Sequence, residues 1–203
     1  MNGCQAGRSV NFAAMRLLEA DGRSTDTARQ LLSAVARVPD ALLRQVRVLP
    51  REHNWLRFPW YRGSKGGGAF VMGDRIYLHR SLLEDRRAHD LLDLLAHEVG
   101  HLAHAERFDP TTAVGRARFV LWAAGHYLRS ALTHGRHAYQ LSRIEQEAER
   151  GRWVLRELIK TVGTPMLTQA VNDPERMRSF LADHAARISD LHQRYPGWPV
   201  AQR

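Results

Sequence analysis

Most of this chain repeats its apolar residues every three or four positions, the spacing that gathers them on one face of a helix. Phe12, Met15, Leu17 and Leu18 predict a short helix closed by Asp21-Gly22. Leu31, Leu32, Val35 and Val38 predict a second, capped by Ser24 and stopped at Pro39. Residues 41–48 carry both signals: Leu42, Leu43 and Val46 fit a helix, while Val46 and Val48 alternate like a strand. Residues 51–68 are a loop rich in glycine and aromatics (Trp55, Phe58, Trp60, Tyr61), expected to cap the edge of a core. Ala69 to Met72 and Arg75 to Leu78 flank Gly73-Asp74, which reads as a hairpin whose turn needs a positive φ at its first central residue.

Four longer helices follow. Residues 81–87 lead into the first, expected from Ala88 to about Arg107, with Leu91, Leu92, Leu95, Val99 and Leu102 as its apolar stripe. The next, from about Ala113 to Leu132, is apolar enough (Val114, Phe119, Leu121, Leu128) to be expected inside the core, with Gly135 ending it. The third spans about His137 to Ile159 with Ile144, Ala148, Gly151, Leu155 and Leu158 in step, and Gly163-Thr164-Pro165 breaks it. The last runs from about Pro174 to Arg194, ahead of a looped tail. The fold class expected is therefore α+β and mostly helical, with a small hairpin or sheet preceding the first long helix. Residues 1–10 are expected to be a disordered leader, and residues 11–200 one domain with helical extensions at both ends.

Off the apolar stripe of the first long helix lies His97-Glu98-Val99-Gly100-His101. Residues four apart on a helix face the same way, so the two imidazoles can share one zinc ion while Glu98 beside them handles a proton. A catalytic zinc takes a third protein ligand and keeps one position open. His104 lies seven residues from His97, about 10 Å along the axis, too far for all three histidines to meet one ion. The third ligand must come from another segment: Glu145, Glu147 or Glu149, or with less support His126, His134 or His137. Glu145 and Glu149 share a face one turn apart, so one could ligate and the other orient a ligating histidine through its second ring nitrogen. Asp93, one turn before His97, is expected in the same outer role. Periodicity does not separate Glu145 from Glu147. Ser142 with Glu145 also forms a capping-box pattern, in which Glu145 would only cap its own helix. Tyr139 and His137, just upstream, are candidates to stabilise an oxyanion.

Composition narrows this picture slightly. The single cysteine, Cys4, excludes an internal disulfide and a thiolate metal site. A formal net charge of +9, almost all from arginine, raises a nucleic-acid partner, but no dense basic run accompanies it, and a solvated basic surface is favoured. No run approaches the roughly 18 apolar residues of a membrane span. The first residues lack the apolar core of a signal peptide, so cytoplasmic folding is expected, with export by a signal-less machine left open.

HEVGH followed by EQEAE resembles the gluzincin metallopeptidases, in which H-E-x-x-H on one helix is followed by E-x-x-A-[DE] on a later one. The match places Glu145 at the ligand, Ala148 at the alanine and Glu149 at the second acid. More narrowly, GAFVMGDRIYL, LLAHEVGHLAH and HAYQLSRIEQEAE, over about residues 45 to 160, are similar to a set of small bacterial metallopeptidase domains associated with contractile injection systems and polymorphic toxins. His101-Leu102-Ala103-His104 departs from the His-x-x-Gln often found there. The resemblance implies a zincin-like fold, zinc held by His97, His101 and Glu145, Glu98 as general base, and a protein or peptide substrate. The competing expectation is a catalytically silent fold of this type, or a basic helical module binding nucleic acid or a protein.

Overall fold

The computed structural model describes residues 15–51, 69–84 and 88–198. The leader and the aromatic loop of residues 52–68 lie outside these. The first described residues do not form the expected helix; Leu18 instead bridges to Ser24 across the turn at Gly22. Helix α1 (Asp26–Ala36) is capped by Thr25, whose hydroxyl accepts from the Ala28 amide, one residue later than the cap expected. The ambiguous stretch is both things in turn: α2 (Asp40–Leu43), then strand β1 (Arg47–Pro50). The hairpin forms as β2 (Phe70–Met72) and β3 (Arg75–Leu78), with Gly73 at φ 63° in its turn. β3 runs antiparallel to β2 and parallel to β1, giving the order β1-β3-β2. β3 is therefore central, because the distant β1 pairs on its other side.

Helix α3 (Arg80–Glu84) occupies part of what reads as a connection. Then come α4 (Ala88–Ala105), α5 (Ala113–His134), the single turn α6 (Ala138–Leu141), α7 (Arg143–Val162), α8 (Thr164–Val171) and α9 (Pro174–Arg194). α8 was hidden behind Gly163-Thr164-Pro165, which ends one helix and also starts the next. Gly163 takes a φ of 82°, and Pro165 sits in the first turn of α8, where its missing N–H costs nothing. α9 begins as expected, with the Asp173 carboxylate accepting from the amides of Glu175 and Arg176.

The core joins α1, β1, β3, α4, α7, α8 and α9 through Leu31, Leu32, Ile76, Leu78, Leu92, Leu95, Leu102, Leu155, Leu158, Leu167 and Met177. α4 is covered on both sides. Its apolar stripe meets α1 and the sheet, and its histidine side meets α7, so His97 and His101 are buried although they lie off the stripe. α5 departs from expectation: it buries only Gly115, Phe119 and Ser130, so it is not a core helix. Periodicity registers that a helix has an apolar face, but not what covers it, and the described residues leave much of this one exposed. No helix among the described residues is long and apolar enough to cross a membrane.

Candidate metal centre

Helices α4 and α7 approach so closely that a Cβ on Gly100 would stand 2.5 Å from the Ala148 Cα. The glycine of HEVGH and the alanine of EQEAE thus meet at one helix crossing. The crossing sets His97 and His101 of α4 against Glu145 and Glu149 of α7. Gly100→Ala puts a methyl group where backbone already lies, so one helix must move. We expect a loss of about 1–3 kcal/mol in stability, read from thermal unfolding, together with weakened zinc binding as the ligands separate. An unchanged melting temperature would show that the crossing has slack.

One ligand atom each from His97, His101 and Glu145 lie within 4.8 Å of one another, and all three residues are buried. His97 Nε2 is 3.3 Å from Glu145 Oε2, and His101 Nε2 is 3.7 Å from Glu145 Oε1. The rings of His97 and His101 stand edge to face with centroids 5.1 Å apart. On its far side, His97 Nδ1 lies 3.2 Å from Glu149 Oε2, and Arg152 pairs with that same oxygen. The His97 ring is therefore held from behind with Nε2 turned into the cluster, as the outer carboxylate of a zinc-ligating histidine does. Glu145 does not cap its own helix. Ser142 at the N-cap makes no side-chain capping bond, and Glu145 Oε1 accepts from the Tyr127 hydroxyl.

Glu147 points elsewhere. It pairs with His104 Nε2 at 2.6 Å and with Arg143 at 2.7 Å. Asp93 is taken up by Arg156, which donates to both its oxygens at 2.6 and 2.9 Å. Tyr139 is 54% exposed, and its ring lies parallel to Tyr127 with centroids 6.0 Å apart. His137 is exposed in the turn before α6, where Arg136 donates to its Nε2. Among the arginines of α7, Arg143, Arg152 and Arg156 pair with Glu147, Glu149 and Asp93, and Arg150 lies over the Tyr195 ring.

Tyr127 is the site residue that sequence reasoning missed. Its signal is present: Gly115, Phe119, Tyr127 and Ser130 share the inward face of α5, and a phenol turned inward needs a partner.

The electrostatics fit a cation. Burial pushes His97 down, but the carboxylates of Glu145 and Glu149 beside it carry it up to about 9. Burial and the neighbouring charges leave His101 lowered to about 4. Glu145, though buried, is drawn down to about 2 by His97, His101 and the Tyr127 hydroxyl. Burial, and the Glu145 charge after it, raise Glu98 to about 7. Burial and Glu145 push the Tyr127 hydroxyl up, so it remains a donor. Glu145 Oε2 is buried, and apart from His97 Nε2 at 3.3 Å it meets no donor among the described residues. Two imidazoles and one carboxylate that converge in this way suit a zinc ion with one position open.

Comparison with known proteins agrees with this geometry. Residues 40–189, from α2 into α9, match the model of peptidase family M48. No curated protein and no solved structure matches the chain.

Proposed function

From the premise that this chain belongs to peptidase family M48, a family of zincin metallopeptidases, we propose that it is a zinc-dependent endopeptidase. The carrying observation is the buried cluster of His97, His101 and Glu145, with Glu98 next to it on α4. In this reading those three residues hold the ion. When bound, zinc supplies the Lewis acid for the peptide carbonyl and the means of activating water. Glu98, set near 7 by burial, takes a proton from the attacking water and returns it to the leaving amine. Glu149, steadied by Arg152, keeps His97 in the tautomer that presents Nε2 to the ion.

Tyr127 donates its one hydroxyl proton to Glu145 and so positions that ligand. Tyr139 then supports the Tyr127 ring from behind. Delivery by, or association with, an injection or toxin system rests on the sequence resemblance of residues 45 to 160.

The test is metal analysis joined to an assay. Protein purified without chelators should carry one zinc per chain and cleave a quenched, unfolded protein substrate. A zinc chelator should abolish cleavage, and added zinc should restore it. Protein that cleaves equally well after its metal is stripped would refute the proposal.

A further inference from the structure

α5 carries a regular pattern on the side turned away from the other described elements. Val114, Leu121 and Leu128 are seven residues apart, and Ala117, Ala124 and Ala131 follow each of them by three. All six are exposed, and with Leu132 the large ones are 61%, 72%, 64% and 82% accessible. A helix packed on its own globular core follows the 3.6-residue period, whereas a strict seven-residue repeat keeps its seam facing a second helix over the whole length. A cluster of large apolar side chains left this open on a soluble chain marks an interaction surface. Gly125 adds to it, since a Cβ there would meet nothing within 4 Å.

We propose that this face pairs with the α5 of a second copy of the chain, antiparallel, about a twofold axis between residues 122 and 123. In that register Val114 meets Ala131 of the partner copy, Leu121 meets its Ala124 and Leu128 meets its Ala117. Every layer then places one large side chain on one small one, and the twofold repeats each pair. A parallel pairing would stack Leu on Leu and Ala on Ala, alternately overfilled and empty. The area is adequate. Val114, Leu121, Leu128 and Leu132 in two copies hide on the order of 1,000 Å² before the alanines are counted, which reaches the size of a specific interface. The seam carries no charge, and Arg118 alone flanks it near the middle, where it meets Gly125 rather than another cation. Because each chain has a net charge of +9, the two copies repel through their outer surfaces, so association strengthens as salt is added.

The inference does not depend on the catalytic reading, and its test measures mass. Sedimentation of the full chain from about 1 to 100 μM should show a dimer that tightens between low and moderate salt. Leu121→Glu/Leu128→Glu, at exposed positions, should keep its helical circular dichroism and sediment as a monomer throughout, a loss of more than 100-fold in association. Ala124→Arg is a second disruption that removes no apolar side chain and should act in the same direction. A wild type monomeric at every concentration would overturn the proposal. So would a dimer that survives both variants. Co-sedimentation of a monomeric wild type with anionic phospholipid vesicles, lost in the double variant, would overturn it too and reassign the face to a lipid surface.

Discussion

Replacing Glu98 by Gln should lower the turnover of a peptide substrate by about 10²–10⁴-fold while leaving one zinc per chain. The two halves of this expectation have separate physical grounds. Glu98 is outside the ligand cluster, which is built from His97, His101 and Glu145, so its removal takes no donor from the ion. It is 5% exposed, and burial has already raised it to about 7. Near neutral pH it thus holds and releases a proton at little cost, which an amide of the same shape cannot do. Gln fills the same volume and removes a buried titrating group that stands close to the Glu145 charge, so the fold should be at least as stable. KM should change little, because the loss falls on proton transfer and not on binding. The check is steady-state kinetics beside metal analysis of the same preparation. A variant that keeps more than about a tenth of wild-type kcat would remove Glu98 from its role as base.

The parts of the site legible in the sequence were those fixed by local spacing. HEVGH on a helix places two imidazoles on one side whatever else the chain does. EQEAE places Glu145 and Glu149 one turn apart in the same way. What spacing could not supply was the neighbour of each face. Glu145 and Glu147 both border the apolar stripe of α7; the choice between them follows from what stands opposite. His97 and His101 face Glu145, while His104 and Arg143 engage Glu147. Asp93 shares the histidine helix, yet α7 sets Arg156 beside it instead of His97. Tyr127 reaches the cluster from α5, whose inward face was judged by its apolar residues alone. The same error produced the expectation of a buried α5. The central place of β3 depends on a parallel pairing with β1, a strand distant in sequence, a contact that no local pattern encodes. The family match over residues 40–189 reaches beyond the resemblance of residues 45 to 160 on both sides, from α2 into α9.

Glu145→Gln should weaken zinc binding by more than about 100-fold, beyond the 10–100-fold expected for a partner that only orients a ligand, such as Glu149. After the change Glu149 still stands behind His97, but the carboxylate that faces both imidazoles is gone. Burial opposes the charge on Glu145, and His97, His101 and Tyr127 together overcome that cost and bring it down to about 2, so the site is organised around this one negative group. The amide keeps a carbonyl for the Tyr127 hydroxyl, so a loss of zinc would not come from collapse of the α5 contact. Glu147→Ala provides the contrast. Its carboxylate serves His104 and Arg143, so its removal should change zinc affinity by no more than a few-fold and cost stability of about 1 kcal/mol through the lost pair with His104. Competition against a zinc-chelating dye measures both variants on one scale. Ordinary zinc affinity in Glu145→Gln together with a collapse in Glu147→Ala would exchange the two carboxylates, and would require α7 to turn on its axis relative to the Gly100–Ala148 crossing. A Cβ on Gly100 would already stand 2.5 Å from the Ala148 Cα, so the crossing has no room for such a turn, and the ligand assignment and the helix packing stand or fall together.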